Sequence, residues 1–268
     1  MTPPADPRFP FPTLRPPAAW LDEVIPVFAP RMEHLRAADR YDRDAGAADL
    51  YTGIAYGHLL FGEGAAEGLY RTMSSLVLAT FGGDVLDLGC GVGRLLYDCA
   101  SARPASRFCG VDLSYQLCRR AWRILRSGEP LAVDAWAHRG RAGAVLHAVR
   151  QLANVWIAQA SASALPFAPA SFDVVTATLL LCQVEDPLIA LGEMTRVLRP
   201  GGRLFLATPF GFRNAEQWPQ PGALLPALAE LGFRIDERFD GLLYREVLDA
   251  RGNAHEWRVA VMAATLTV

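Results

Sequence analysis

An apolar run that ends in an acid and leads into three alternating glycines constrains the fold of this chain most. Residues 84–93 have the sequence DVLDLGCGVG, with glycines at Gly89, Gly91 and Gly93. An apolar run, then glycines, then a helical pattern predicts a strand, a tight turn and the beginning of a helix. Glycine lets the backbone approach a ligand closely, and the first helical turn points unpaired N–H groups into the same space. The stretch therefore predicts a ligand-binding loop in an α/β fold.

The residues around the glycines limit the ligand. A dinucleotide-binding loop requires a third glycine where Arg94 stands, and a P-loop requires a lysine, which this chain lacks. Asp87, two residues before the first glycine, is an unfavourable neighbour for a pyrophosphate and a favourable one for an ammonium group. We therefore expect a cationic nucleoside that bears an amino acid, and no appreciable binding of NAD, NADP or ATP.

Asp112 supplies a second acid at the end of a second predicted strand, roughly 20 residues beyond the glycine loop. An acid at this place in a βαβ unit can accept hydrogen bonds from both ribose hydroxyls. The alternative role for an acid after a strand is to cap the following helix. The spacing from the glycine loop favours the ribose role.

Four motifs, in order over about 120 residues, resemble those of the class I S-adenosylmethionine-dependent methyltransferases. They lie at residues 85–94 (VLDLGCGVGR), 110–114 (GVDLS), 164–167 with 171–175 (ALPF and SFDVV), and 193–204 (EMTRVLRPGGRL). The resemblance implies S-adenosylmethionine as the cofactor. It also implies a Rossmann-like α/β fold with a seven-stranded, mostly parallel sheet that contains one reversed strand.

The resemblance also implies individual roles. Asp87 and the glycine-loop backbone would hold the methionine moiety, Asp112 the ribose diol, and Leu113 would pack against the adenine. Many relatives carry an Asp that contacts the adenine amino group where this chain has Ser161, whose hydroxyl accepts such a bond without charge. The full set of expected cofactor-binding residues is Asp87, Gly89, Cys90, Gly91, Gly93, Asp112, Leu113, Ser161, Ala162 and Thr178.

The expected acceptor is a small molecule methylated on nitrogen or oxygen, as in natural-product or amino-acid-derivative biosynthesis. Relatives that methylate nucleic-acid amino groups carry an Asn/Asp-Pro-Pro-aromatic motif after the fourth strand, where this chain has Thr-Leu-Leu-Leu at residues 178–181. There is also no basic stripe with interleaved aromatic residues, so we expect no nucleic-acid partner. The alternative is a catalytically inactive subunit that binds S-adenosylmethionine and regulates a partner.

Candidate residues for the acceptor side are fewer. Many relatives have a His pair after the fourth strand, where this chain has Cys-Gln at residues 182–183, and an amide cannot act as a base. His58 is the candidate catalytic base, with a structural role as the alternative. Residues 180–187 also resemble methyltransferase domains that N-methylate thiohistidine. The expected substrate-contacting residues are Tyr51, Tyr56, Gln183 and His255, with plain packing as the alternative for the tyrosines.

Three regions are predicted along the chain. Residues 1–19 form a proline-rich arm, expected to be extended and poorly packed, and residues 20–80 a helical lid without a strand in the sheet. Residues 81–268 form the cofactor-binding core, in which residues 127–154 are an insertion expected to be helical. Near the end, residues 233–239 and 256–267 are predicted to be antiparallel strands, because no helix separates them.

Composition is consistent with a cytoplasmic enzyme that is a monomer or homodimer. The net charge of −2 provides no long-range attraction to nucleic acid or an anionic membrane. No apolar run approaches the roughly 18 residues that cross a bilayer, so no membrane partner is expected. The five cysteines form no C-x-x-C pair, and neither a metal site nor a disulfide framework is predicted.

Overall fold

The computed structural model describes residues 8–28, 39–42, 46–62, 64, 66–80, 82–134, 143–209, 221–247 and 253–267. The strands in chain order are β1 (Ala19–Leu21), β2 (Ile25–Val27), β3 (Asp84–Leu88), β4 (Arg107–Asp112), β5 (Leu131–Val133), β6 (Ala144–Leu146), β7 (Val155–Gln159), β8 (Phe172–Thr178), β9 (Leu198–Pro209), β10 (Phe233–Val247) and β11 (Ala254–Leu266).

The α-helices are α1 (Asp39–Asp42), α2 (Ala47–Ala55), α3 (Gly57–Leu60), α4 (Glu67–Ala79), α5 (Arg94–Ala102), α6 (Tyr115–Trp122), α7 (Pro187–Val197) and α8 (Leu224–Glu230). A π-helical turn, Arg123–Ser127, continues α6, and a 3₁₀ turn, Pro221–Ala223, precedes α8. None of these helices is long and apolar enough to cross a membrane.

The main sheet has the order β1-β2-β7-β4-β3-β8-β9-β11-β10. The six strands from β2 to β9 are parallel, whereas β11 runs antiparallel to both of its neighbours. All five residues of β3 are buried, as expected for a parallel strand covered on both faces. After β3 the chain builds the sheet toward β4 and β7, and then returns to place β8 on the other side of β3. This reversal creates a crevice at the carboxyl ends of the strands, where α/β folds bind ligands.

The two faces of the sheet pack against different helices. Side chains of α4, α5 and α6 share one apolar core with Val85 of β3. Side chains of α7 and α8 share the second core with Leu86, the next residue along β3. This alternation follows from the two-residue period of a strand, and it fixes the end of β3 as the support of the glycine loop.

The expectation of seven strands is corrected by the short hairpin β1–β2, which extends the described sheet to nine strands. Residues 20–28 were predicted to be helical, but β2 pairs in parallel with β7 through Val27 and Gln159. Asp22 and Glu23 form the turn with positive φ angles of 49° and 63°. Pro26 would disrupt a helix interior, so its presence argued against a helix at these residues. The segment assigned to the lid therefore has a strand within the sheet.

The expectation of a poorly packed arm is wrong at Phe9 and Phe11, whereas residues 14–16 are exposed. The side chains of Phe9 and Phe11 are 4% and 1% exposed. Phe11 stacks on Phe172 of β8 with ring centroids 5.4 Å apart, and Thr13 forms a β-bridge to Phe167. The prediction considered only the prolines. The aromatic residues between them bury enough apolar surface to pack this part of the arm against the sheet.

The insertion at residues 127–154 was expected to be helical. Apart from Ser127, which ends the π-helical turn, its described residues are not helical. Strands β5 and β6 form a separate antiparallel pair, with Leu131 opposite Leu146. Leu131 and Val133 are buried while the residue between them is exposed, which is the alternation of a half-buried strand. Residues 135–142 of the predicted helical element lie outside the described residues.

Because Phe11 is buried, the proline-rich arm should contribute to stability. We expect Phe11→Ala to lower the free energy of unfolding by about 3–5 kcal/mol, the usual cost of removing a buried aromatic ring. Urea denaturation followed by circular dichroism would measure it, with Leu14→Ala, at a side chain that is 52% exposed, as the control. Equal midpoints for Phe11→Ala and the wild type would contradict this role of the arm.

Candidate active site

A cavity of about 1640 Å³ lies at the carboxyl ends of the parallel strands. Its floor is formed by the ends of β3, β4, β7 and β8, and its roof by residues of α1, α2 and α4. The outer end of the cavity is lined by the β10–β11 hairpin. The cavity therefore joins the glycine loop to a second region that is wide enough for another molecule.

The three glycines of the loop have different physical roles. Gly89, Gly91 and Gly93 have φ angles of 66°, 54° and 79°, a conformation that favours glycine. A Cβ atom on Gly93 would lie 2.7 Å from Leu125 Cδ1, whereas one on Gly91 would meet nothing within 4 Å. Gly93 thus allows close packing against the π-helical turn and does not line the cavity. Gly91 leaves open space where a ligand can approach the backbone.

Asp112 ends β4 and is held by the backbone on both sides. Its Oδ2 accepts a hydrogen bond from the Gly91 N–H at 2.9 Å, and its Oδ1 accepts one from the Ser114 N–H at 2.9 Å. Burial raises the pKa of Asp112, and these backbone hydrogen bonds act in the opposite direction. Ser114, not Asp112, supplies the side-chain cap of α6. The carboxylate is therefore fixed in the cavity wall, with lone pairs left for a ligand.

Asp87 ends the apolar run of β3 and is 3% exposed. Its Oδ1 accepts a hydrogen bond from the Thr176 hydroxyl at 2.7 Å. Burial, together with the negative charge of Asp112, raises the pKa of Asp87 to about 7, although the Thr176 hydrogen bond opposes this change. A carboxyl group in this state gains most from a cationic ligand, because a positive charge restores its ionised form.

The cavity brings together nine of the ten residues expected to bind the cofactor. They are Asp87, Gly89, Cys90, Gly91, Asp112, Leu113, Ser161, Ala162 and Thr178. The hydroxyl oxygen of Thr178 is buried and has no hydrogen-bond partner among the described residues. A polar atom left in this state within a cavity wall is a place where a ligand can donate or accept a hydrogen bond.

Of the four residues expected to contact the acceptor, three line the cavity and one does not. Tyr51, Gln183 and His255 line the cavity, whereas Tyr56 is fully buried and donates its hydroxyl to the Val92 carbonyl at 3.2 Å. Tyr56 therefore has the packing role that was its alternative.

His58, the candidate base, does not line the cavity either. Its Nδ1 lies 3.1 Å from the Arg94 guanidinium and 3.5 Å from a Glu67 oxygen. Burial, followed by the charge of Arg94, lowers the pKa of His58. The His58 ring is therefore a structural partner of Arg94 and does not face the cavity as a catalytic base would.

Arg94 connects the roof of the cavity to the helix that follows the glycine loop. It is 3% exposed, and its guanidinium donates to the Ala55 carbonyl, to Glu67 at 2.9 Å and to Asp98 at 3.0 Å. The residue that replaces the third glycine of a dinucleotide loop thus binds α2 and α4 to α5.

Acids of the N-terminal segment make a second set of contacts, on α6. Asp42 accepts hydrogen bonds from the Ser114 hydroxyl at 2.5 Å and from the Gln116 N–H at 3.1 Å. Asp49 forms an ion pair with Arg120 at 2.7 Å, and Asp22 pairs with Arg119 at the surface. The segment that covers the cavity is therefore attached to the helix that begins directly after Asp112.

Four residues that line the outer end of the cavity were not expected from the sequence: Tyr70, Tyr244, Glu246 and Trp257. In the antiparallel pairing of β10 with β11, Tyr244 lies opposite Trp257 and Glu246 opposite His255. Residues two apart on a strand, and residues directly opposite, share one face of a sheet. The strand was predicted to end at residue 239, whereas β10 continues to Val247, so Tyr244 and Glu246 lay outside the expected strand.

Comparison with known proteins agrees with this geometry. Residues 86–206 match the family described as methyltransferase domain. A malonyl-acyl-carrier-protein O-methyltransferase of Hahella chejuensis is 32% identical over 126 residues, which are 47% of this chain and 36% of that protein. A ubiquinone/menaquinone biosynthesis C-methyltransferase of Teredinibacter turnerae is 32% identical over 178 residues, 65% of this chain and 62% of that protein. The chain thus spans less than two thirds of the length of either relative.

Among solved structures, the magnesium protoporphyrin IX methyltransferase of Synechocystis with bound S-adenosylmethionine superposes with a TM-score of 0.56. The superposition covers 92% of this chain and 98% of that protein at 16% sequence identity, and thus shows a shared fold. Residues 86–206 therefore resemble a class I S-adenosylmethionine-dependent methyltransferase domain, and the cofactor that these comparisons support is S-adenosylmethionine. The narrower resemblance to thiohistidine methyltransferases has no support in these comparisons.

Proposed function

We propose that this protein transfers the methyl group of S-adenosylmethionine to a nitrogen or oxygen atom of a small molecule bound beneath α1, α2 and α4. The observation that carries the proposal is that Asp87 and Asp112 line one continuous cavity with the aromatic side chains of the outer end. One end of the cavity fits a cationic nucleoside, and the other leaves room for an acceptor.

The residues present fit the cofactor. The buried carboxyl group of Asp87 would hold the ammonium group of the methionine moiety, and Asp112 the ribose hydroxyls. The open space at Gly91 admits the ligand against the backbone, and Leu113 and Ser161 lie in the wall at the adenine end. When bound, the cofactor supplies an electrophilic methyl group on a sulfonium.

The chain's own contribution to the reaction is binding, orientation and exclusion of water. Holding two reactants in line is worth up to roughly 7–11 kcal/mol in ideal cases. The roof formed by α1, α2 and α4 would separate the site from solvent, while Tyr51 and Gln183 would contact the acceptor. A base is optional for an amine and useful for a hydroxyl, so the proposed transfer does not require His58 to act as a base.

A transfer assay with methyl-labelled S-adenosylmethionine and a panel of small amines, phenols and carboxylic acids would test this function. We expect label in at least one acceptor with the wild type, and much less with Asp112→Ala when the cofactor concentration is limiting. The alternative, an inactive subunit that binds the cofactor, predicts tight cofactor binding without transfer to any member of the panel. A cytoplasmic location and a monomeric or homodimeric state remain predictions.

The attachment of the roof to α6 gives a separate prediction. We expect Asp42→Ala to lower turnover strongly while it changes the affinity for S-adenosylhomocysteine only slightly, because Asp87 and Asp112 stay in place. Loss of the acceptor for the Ser114 hydroxyl and the Gln116 N–H should also lower stability by about 1–3 kcal/mol. Asp22→Asn, which removes the charge of an exposed pair on the same helix and keeps a residue type that tolerates the positive φ angle at this position, is the control and should change neither property. Wild-type turnover in Asp42→Ala would contradict a role for this contact in closing the site.

Deletion of residues 1–40 would not isolate closure of the site, because it would leave most of the roof in place and would remove Phe11 and β2 from the fold. The deletion is therefore expected to unfold the protein, and a point substitution at Asp42 separates closure from stability.

A further inference from the structure

We propose, on the basis of the methyl transfer proposed above, that the acceptor is an aromatic or alkyl primary or secondary amine, and that Glu246 binds its nitrogen. The proposal concerns the outer end of the cavity, formed by the β10–β11 hairpin and the tyrosines of α2 and α4.

The charge of the cavity wall excludes one class of acceptor. The described residues that line it include six carboxylates, at Asp87, Asp112, Glu185, Asp186, Glu246 and Glu256, and no arginine. All basic residues of this chain except histidine are arginines, so His255 is the only lining side chain in the described part that can become positive. A carboxylate or phosphate acceptor would enter this wall without a counter-charge, which is costly in a desolvated site.

Glu246 is the acid proposed to bind the acceptor, and it lines the outer end of the cavity. It shares a sheet face with Tyr244 and accepts a hydrogen bond from the Tyr244 hydroxyl at 3.2 Å. Asp186 instead caps helix α7 through the Leu188 N–H. Glu256 occupies the adjacent position of the ladder, opposite Arg245, with which it forms an ion pair at 3.8 Å.

Tyr70 links Glu246 to the cofactor end. Burial raises the pKa of Tyr70, and the carboxylates of Asp87 and Glu246 both add to this effect, against the charge of Arg94. One tyrosine therefore lies within electrostatic range of both the acid expected to hold the methionine ammonium and the acid at the acceptor end. Tyr70 and Glu246 line the same cavity as Asp87, so an acceptor nitrogen held by Glu246 would share that cavity with the cofactor.

The side chains around Glu246 suit an organic amine. Tyr244 is 3% exposed and Trp257 38%, and they lie opposite each other on the two strands of the hairpin. Tyr41 and Tyr51 contact each other edge to face across the cavity roof, with centroids 5.4 Å apart. Aromatic faces attract cations and bury apolar groups. A nitrogen that carries a ring or an alkyl chain satisfies both features.

The chemistry balances without a further reactant. The bound ammonium first loses one proton to water. The lone pair of the resulting neutral amine then forms the N–C bond as the S–C bond of the sulfonium breaks, and the S–C electron pair remains on sulfur. The methylated nitrogen is then positively charged and releases its proton to the Glu246 carboxylate or to water. Glu246 accepts an N–H hydrogen bond before transfer and stabilises the positive charge that develops on nitrogen during it.

The test uses matched acceptors on the intact 268-residue chain with S-adenosylhomocysteine bound. The amines are phenethylamine, tyramine and tryptamine, and the matched acids are 3-phenylpropionate, 3-(4-hydroxyphenyl)propionate and indole-3-propionate. We expect calorimetry to show binding of at least one amine and of none of the acids. Glu246→Gln should weaken amine binding at least about tenfold and leave the affinity for S-adenosylhomocysteine unchanged.

Glu237→Gln makes the same charge change at an exposed position of β10 and is expected to leave amine binding unchanged. Acids that bind as well as the amines would overturn the proposal, as would a failure of every amine to bind the S-adenosylhomocysteine complex. Equal amine affinities of the wild type and Glu246→Gln would remove Glu246 from the site. Because binding of S-adenosylhomocysteine is measured first, failure of the cofactor proposal is recognised separately as a protein that does not bind it.

Discussion

Asp87→Asn should weaken the binding of S-adenosylmethionine by about 2–5 kcal/mol, the cost of removing one partner of a buried charge pair. This corresponds to an affinity lower by roughly 30-fold or more. The amide keeps the size of the side chain and can still accept the Thr176 hydrogen bond. Calorimetric titration at pH 8, where the wild-type carboxyl group is ionised, would measure the difference.

The same substitution should stabilise the protein without its ligand. The pKa of Asp87 is raised from its ordinary value of 3.8 to about 7, so the folded state binds the proton more tightly than the unfolded state. The resulting stabilisation is complete below about pH 4 and is lost as the pH rises to about 7 and above. This increase in the pKa of Asp87 corresponds to a stabilisation of the folded state by at most about 4 kcal/mol.

Thermal or urea unfolding at pH 5 and pH 8 would check this dependence. The gain in stability of Asp87→Asn over the wild type should be larger at pH 8 than at pH 5. A variant that is less stable than the wild type at pH 8 and binds S-adenosylmethionine equally well would contradict the assigned role of Asp87 on both counts.

The second large effect is expected at Asp112. Asp112→Ala should weaken cofactor binding by about 1.5–3 kcal/mol through the loss of charge-assisted hydrogen bonds to the ribose. The substitution also leaves the Gly91 N–H without its acceptor, and the glycine loop loses a contact that fixes its conformation. The effect should therefore lie at the upper end of this range. Asp112→Asn retains an acceptor oxygen and should be intermediate.

Titrations of the two Asp112 variants with adenosine would separate the ribose contact from the methionine contact. Adenosine lacks the amino acid, so Asp112→Ala should weaken its binding while Asp87→Asn leaves it nearly unchanged. Equal adenosine affinities for the wild type and Asp112→Ala would remove Asp112 from the ribose site.

The cofactor end of the cavity could be predicted from sequence because its signals are local. The run into Asp87, the glycines and the second strand ending in Asp112 lie within 29 consecutive residues, from position 84 to position 112. The parallel register of β3 with β4 then places Asp87 opposite Gly110. This pairing follows once both apolar runs are assigned to neighbouring strands.

The remaining parts depend on contacts between residues distant in sequence. No local pattern shows that β2 joins the edge of the sheet at β7, or that Phe11 stacks on Phe172. The imidazole of His58 made it a candidate base, but the guanidinium of Arg94, 36 positions later in the chain, binds its ring. Glu246 was missed because the strand was predicted to end at residue 239, and because the direction of its side chain depends on the register between β10 and β11.

Binding of S-adenosylhomocysteine to the wild type tests the central claim, that this cavity holds the methyltransferase cofactor through Asp87 and Asp112. Isothermal titration near pH 7, repeated in buffers with different heats of ionisation, should show one site of micromolar affinity. It should also show release of part of a proton, because the ligand ammonium returns Asp87 to its ionised form. Absence of binding, or equally tight binding of NAD, would contradict the claim.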